Sequence, residues 1–172
     1  MGTVFSIATD GAGEFWVFDV TTDTLWSLDE VSGDLTALGV FPVALGDANF
    51  SNNSIDWDPV SGSLIADVYT GGGAGSYGTW DVTSGVFTEI ANHSAFAAPF
   101  DFHGGGIACF GGTTFQVDFW NDFFATYDTL TPTNGSLTIL GQPSEPVIFA
   151  MDFDDTSETL YGINFNLSLI HI

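Results

Sequence analysis

Two acidic pairs at matching spacing are the residues of this chain best suited to chemistry: Asp56 with Asp58, and Asp152 with Asp154, the latter with Asp155 adjacent. In an extended strand residues i and i+2 point to one face, so each pair converges if its segment is a strand. Asp101 with His103 fills the corresponding place between the two pairs. Hard carboxylate oxygens suit Ca2+. Asp56, Asp58, Asp101, His103, Asp152 and Asp154 are therefore the candidate metal ligands, as a Ca2+ site or as a ring of carboxylates around a central channel. The competing reading is structural: the second member of each pair forms a turn and the first faces solvent. Two carboxylates at a suitable separation could also serve as acid and base in glycoside hydrolysis. No EF-hand loop pattern is present.

Other chemistries find less support. Ser76 lies among glycines and no Gly-x-Ser-x-Gly occurs, so no serine nucleophile is expected. Cys109 sits in the apolar run Ile107–Phe110 and reads as a buried, inert thiol; as the single cysteine it excludes an internal disulfide and a Cys-rich zinc site. Gly73, Gly75 and Gly78 match the dinucleotide spacing, but the segment runs into another hairpin rather than a helix. It reads as an inter-strand loop, and no organic cofactor is expected. The aromatics Phe115, Phe119, Trp120, Phe123 and Phe124 read mainly as core, with Trp120 in a turn beside Asn121 and Asp122. Aromatic plus acidic groups would suit neutral glycans or a Ca2+-bridged polysaccharide.

Charge excludes whole classes of partner. The chain carries 22 acidic residues and no Lys or Arg, for a formal charge of −22 over 172 residues. Nucleic-acid binding draws its affinity from Lys and Arg on phosphates, so no nucleic-acid partner is expected. Phosphoryl transfer and Schiff-base chemistry lose their essential cation. Anionic membrane surfaces repel the chain, and no apolar run is long enough for a spanning helix. The 45% hydrophobic content argues against disorder and for a packed core.

The elements that must position these residues are short strands. A motif Asp-x-x-Ser/Thr-Gly/Asp/Glu-x-Leu/Phe recurs at Asp19–Leu25, Asp29–Leu35, Asp58–Leu64, Asp81–Phe87 and Asp154–Leu160, with a stretched copy at Asp128–Leu137. Each copy is a hairpin signal: Asp bonds the backbone ahead of it, and Gly accepts the positive φ that ends the turn. Runs rich in β-branched and aromatic residues flank every copy. Candidate inner strands end at Asp10, Asp58, His103 and Asp154, which are 48, 45 and 51 residues apart. The first unit reads as strands 4–9, 14–19, 24–28 and 35–38, and the second as 54–58, 63–69, 77–81 and 86–90. The third reads as 98–102, 106–110, 113–119 and 124–128, with 136–140 as its outer edge or an extra strand. The fourth stops after two strands.

Four strands in each 40–50 residues is the spacing of propeller blades. The fold expected is all-β: a partial β-propeller of about three and a half four-stranded antiparallel blades, with an open ring. The units run over about 3–41, 52–94, 97–141 and 147–166. A β-sandwich is the runner-up, though nothing in that fold requires a four-strand period.

Leu25–Gly39 (Leu-Trp-Ser-Leu-Asp-Glu-Val-Ser-Gly-Asp-Leu-Thr-Ala-Leu-Gly) and Ile55–Leu64 (Ile-Asp-Trp-Asp-Pro-Val-Ser-Gly-Ser-Leu) resemble repeats of secreted bacterial β-propellers. The resemblance covers about 150 residues and its motif is structural. It implies an extracellular or cell-surface location more than an activity. Asp23 and Glu158 replace the turn Gly, and the connection 41–53 is longer than that pattern expects. Leu167–Ile172 resembles the in-frame translation of a transposase end used in sequencing libraries, so 167–172 is expected to be a non-native tail.

The function expected is a non-enzymatic binding or scaffold propeller of an exported protein, with a polysaccharide, protein or Ca2+ ligand and the remainder of its own propeller as partners. The alternative is a propeller hydrolase: metal-dependent and lactonase-like, or polysaccharide-degrading.

Overall fold

The computed structural model describes residues 4–42, 54–71, 74–92, 106–118, 123–131, 138–141, 148–164 and 169–171. These residues form fifteen strands and no helix. The first sheet holds β1 (Val4–Thr9), β2 (Phe15–Asp19), β3 (Thr24–Leu28) and β4 (Leu35–Val40). The second holds β5 (Ser54–Asp58), β6 (Ser63–Gly71), β7 (Ala74–Asp81) and β8 (Val86–Asn92). The third holds β9 (Ile107–Phe110), β10 (Thr113–Asp118), β11 (Phe123–Asp128) and β12 (Thr138–Gly141). The fourth holds β13 (Ile148–Asp154), β14 (Thr159–Asn164) and β15 (Leu169–His171). Within each sheet every strand pairs antiparallel with the next in sequence. The first strands touch in order, β1 on β5, β5 on β9 and β9 on β13, so they line an axis. The architecture is a partial, open β-propeller.

Strand alternation makes the blades stack. In β6, Leu64, Ala66 and Val68 face the first sheet, while Ile65 faces the third. In β9, Ile107 and Cys109 face the second sheet and Ala108 faces the fourth. The second and third sheets are therefore apolar on both faces, as a period-two strand must be when it is sandwiched. The first interface is aromatic: Trp16 stacks on Trp57 at 5.0 Å, and Trp80 lies 6.3 Å from Phe18 and 5.4 Å from Phe87. The interface between third and fourth sheets is a ladder in which Phe153 stacks on Phe110 at 4.1 Å and on Phe115 at 5.7 Å.

The second interface differs in chemistry. Tyr77 on β7 shares a 2.8 Å hydrogen bond with Thr114 on β10 and donates to the Thr129 carbonyl at 3.1 Å. The Gln116 amide on β10 donates to the Asp67 carboxylate on β6, both being fully buried. Burial pushes the hydroxyls of Tyr77 and Tyr127 well above the ordinary phenol range.

The hairpins are built as their residues require. Asp29 accepts the N–H groups of Val31 and Ser32 at 2.9 and 2.8 Å, and Gly33 follows at φ 75°. Asp58 and Asp81 do the same, ending at Gly62 and Gly85. Asp23 and Glu158 take the left-handed conformation at 52° and 51°, where the other copies place Gly. Gly85 has a second reason to be glycine: a Cβ there would collide with the Leu38 carbonyl of the neighbouring sheet.

Three expectations are corrected. The strand expected second in the third sheet, 106–110, is its inner strand β9, touching β5 and β13; the expected strand 98–102 lies outside the described residues. The hairpin after β9 closes on Gly111 and Gly112, both at positive φ, so no Asp marks it. Gly75 to Gly78 lie inside β7 rather than in a loop, and Gly78, having no Cβ, lets the β8 backbone at Thr88 and the Phe87 ring come close. The fourth sheet has a third strand, β15, which pairs with β14. An open sheet edge takes a strand by backbone pairing alone.

Candidate functional site

Four inner strands converging on one axis leave a cleft between them. Its volume is about 370 Å3, and Ser6, Thr9, Ser54, Asp56, Ile107 and Asp152 contribute to its walls. Gly106 at the entry to β9 lets β13 come near, since a Cβ would sit about 3 Å from the Ala150 and Met151 backbone. A second cavity of about 210 Å3 adjoins it and shares Thr9, Asp56 and Asp152. Trp57, Pro59 and Phe153 supply its apolar wall, and Asp10 and Asp155 its rim. In antiparallel blades the β1–β2, β5–β6 and β13–β14 turns emerge at one end of the axis, and Asp10, Pro59 and Asp155 come from these turns.

Asp56 is the residue that links the sheets. Its Oδ2 accepts the backbone N–H of Cys109 at 2.6 Å, a bond from the second sheet to the third. Burial pushes its carboxyl up to about 7, opposed by the N–H groups of Cys109 and Trp57 and reinforced by the charges of Asp152 and Asp155. The Cys109 thiol is buried, and burial together with Asp56 raises it well above the usual thiol range. It is an unreactive core group, as its apolar flanks suggest.

The six candidate ligands are used in different ways. Asp58 is buried and spends its oxygens on the N–H groups of Val60 and Ser61 at 3.1 and 3.3 Å. Asp154 accepts from Thr156 N–H at 2.9 Å and from the Ser157 hydroxyl at 2.6 Å. The Ser157 hydroxyl, and then its backbone partners, hold Asp154 below the usual carboxylate range. Both second members are therefore turn formers. Of the first members, Asp152 is exposed and caps Phe153 N–H at 2.8 Å, whereas Asp56 is largely buried rather than facing solvent. Asp101 and His103 lie outside the described residues. Among the described residues no three His, Cys, Asp or Glu side chains come together as a set able to hold a metal.

Sequence reasoning missed the aromatic half of the site. Trp57 and Phe153 occupy the position between the two acids of each pair, so the same alternation that pairs the acids sends these rings to the opposite face. It also missed the buried Asp67–Gln116 contact. The signal was a carboxylate within the apolar run Leu64–Val68, in a chain with no cation to meet it.

No known family pattern and no curated protein matches the chain. Solved structures do. A chain of the nidogen/laminin complex superposes with a TM-score of 0.69 at 16% identity, over 100% of this chain and 60% of that one. Streptogramin B lyase gives 0.61 at 15% identity, over 98% of this chain and 53% of the lyase. Glutaminyl cyclase of Myxococcus xanthus gives 0.62 at 12% identity, over 100% and 75%. These likenesses are of β-propeller-like folds and show the fold alone. The chain spans about 60% of the nidogen/laminin chain's length.

Proposed function

We propose that this partial propeller is a non-enzymatic binding module of an exported or cell-surface protein, and that it takes a neutral glycan in the axial cleft. The observation that carries this is the joined pair of cavities whose walls include the edges of Trp57 and Phe153 together with the carboxylates of Asp10, Asp56, Asp152 and Asp155. A sugar ring lays its apolar face on an aromatic ring, and its hydroxyls donate to carboxylate oxygens. No Lys or Arg exists to meet an anionic sugar. The extracellular location is supported by the resemblance of the repeats to those of secreted propellers.

Tryptophan fluorescence titrated with cellohexaose, maltohexaose and xylohexaose tests this, with an oligogalacturonate as the anionic control. A neutral hexaose is expected to shift the emission saturably and the oligogalacturonate to leave it unchanged. Trp57→Ala, checked for folding by circular dichroism, is expected to weaken binding about two- to tenfold, since an aromatic contact contributes roughly 0.5–1.5 kcal/mol beyond the area it buries. No response to any neutral hexaose would overturn the glycan reading. A hydrolase is the second reading, because a carboxyl raised to about 7, Asp56, shares the cleft with Asp152. Cleaved sugar on chromatography after incubation would favour it over a binding module.

A further inference from the structure

We propose that the outer face of the first sheet is a docking surface for a second copy of this chain, which seats the outer face of its fourth sheet there and continues the stack of blades head to tail. The contact is independent of the glycan reading.

The first sheet packs on the second through β1–β5, β2–β5 and β4–β8, and among the described strands it has no comparable partner on its other side. Ala8, Trp16, Phe18 and Leu25 point to the second sheet. Alternation therefore sends Ile7, Phe15, Trp26 and Leu28 to the opposite face. Ile7 is 56% exposed there, and Phe15, Trp26, Leu28 and Leu35 are half-buried. The register shows what such a face is for. Thr9, Phe15, Leu28 and Leu35 stand side by side across the first sheet, as Trp57, Leu64, Trp80 and Phe87 do across the second. Both rows lie next to the inner hairpin, so Ile7 corresponds to Ile55. In the second sheet these positions are the ones pressed on the sheet before it. The first sheet presents the same contact surface one blade earlier.

The fourth sheet carries the matching half. Tyr161 pairs with Asp152 as Trp16 pairs with Ala8, and Ile163 takes the place of Phe18. Trp16 and Phe18 are 3% and 0% exposed beneath the second sheet, whereas Ile163 is 41% exposed. Asp152 fits the same scheme. It accepts the Phe153 N–H, as Asp56 accepts that of Trp57, and Asp56 also takes the Cys109 N–H of the sheet that follows it. Thr9 stands one pair from its hairpin as Cys109 does, so the Thr9 N–H of the second copy is the equivalent donor for Asp152. Two copies joined in this way use the contact twice and carry eight sheets, a number at which propellers close. Each copy has a formal charge of −22 and no Lys or Arg, so the copies repel at long range and salt strengthens the contact by screening. A basic protein partner would show the reverse.

Size-exclusion chromatography with light scattering reads the mass of the whole chain at about 50 and about 500 mM NaCl. A mass of twice 18.2 kDa is expected, with a dissociation constant about tenfold lower in the higher salt. Ile7→Asp and Ile163→Asp, both at exposed positions and checked for folding by circular dichroism, are each expected to return the monomer. An equimolar mixture of the two variants is expected to regain mass, because one of the two contacts then joins unaltered faces. A wild-type monomer at both salt concentrations overturns the proposal. So does a dimer that survives either substitution or that weakens with salt. If a variant does not fold, the urea midpoint of the wild type decides: it is expected to rise with protein concentration, and a midpoint independent of concentration overturns the contact.

Discussion

Trp80→Ala is expected to lower the unfolding free energy by about 3–5 kcal/mol, the usual cost of deleting a large aromatic from a core that cannot collapse around the gap. Trp80 is 1% exposed on the face of the second sheet that meets the first. Its ring touches Phe18 across the interface and Phe87 within its own sheet. Against a typical total of about 5–15 kcal/mol, that loss leaves the variant close to unfolding at ambient temperature. Urea unfolding followed by circular dichroism checks it through a lowered midpoint at unchanged slope. Trp80→Phe keeps a ring against both neighbours and is expected to lose less. A loss below about 1 kcal/mol for Trp80→Ala would mean that the first two sheets do not close on this residue.

Gln116→Leu should destabilise by about 2–4 kcal/mol although it conserves volume, because it removes a donor from a buried carboxylate. Gln116 and Asp67 are 1% and 0% exposed, and the amide of the first donates to the second across the blade interface. Breaking one side of a buried polar contact costs more than replacing both sides. The double variant Asp67→Leu/Gln116→Leu is therefore expected to recover most of the loss, with a coupling free energy of about 1–3 kcal/mol in a double-mutant cycle. Simple additivity of the two single losses would contradict the contact.

These two predictions separate what the sequence makes legible from what it hides. The hairpins were readable because each is local: Asp29, Asp58, Asp81 and Asp154 bond N–H groups two or three residues ahead, and that spacing is printed in the chain. The positive φ at Asp23 and Glu158 was readable for the same reason, since these residues stand where the other copies have Gly. From the hairpins came the four-strand period, and from the period the blades. The phase of the third blade is less legible because its inner hairpin turns on Gly111–Gly112 and lacks the Asp that marks the others.

The site was legible only in part. Sequence placed Asp56 and Asp152 at equivalent positions, and the structure brings both to one cleft. It gave them equal environments, however, and they differ. Asp152 lies on the last described inner strand and is exposed, whereas Asp56 lies between two others. That difference depends on where a blade falls in the arc, which a repeat by its nature conceals. The Cys109 N–H that meets Asp56 is 53 residues away and belongs to a backbone atom, so no residue type announces it.

The convergence of three inner strands on Asp56 is the claim on which the cleft depends. It is tested most directly by the carboxyl 13C shift of Asp56, assigned by its disappearance in Asp56→Asn and followed from acid to alkaline pH. Blades packed around a common axis predict a midpoint near 7. A midpoint near the ordinary aspartate value of about 3.9 would place that carboxylate in open water and contradict the packing of these sheets.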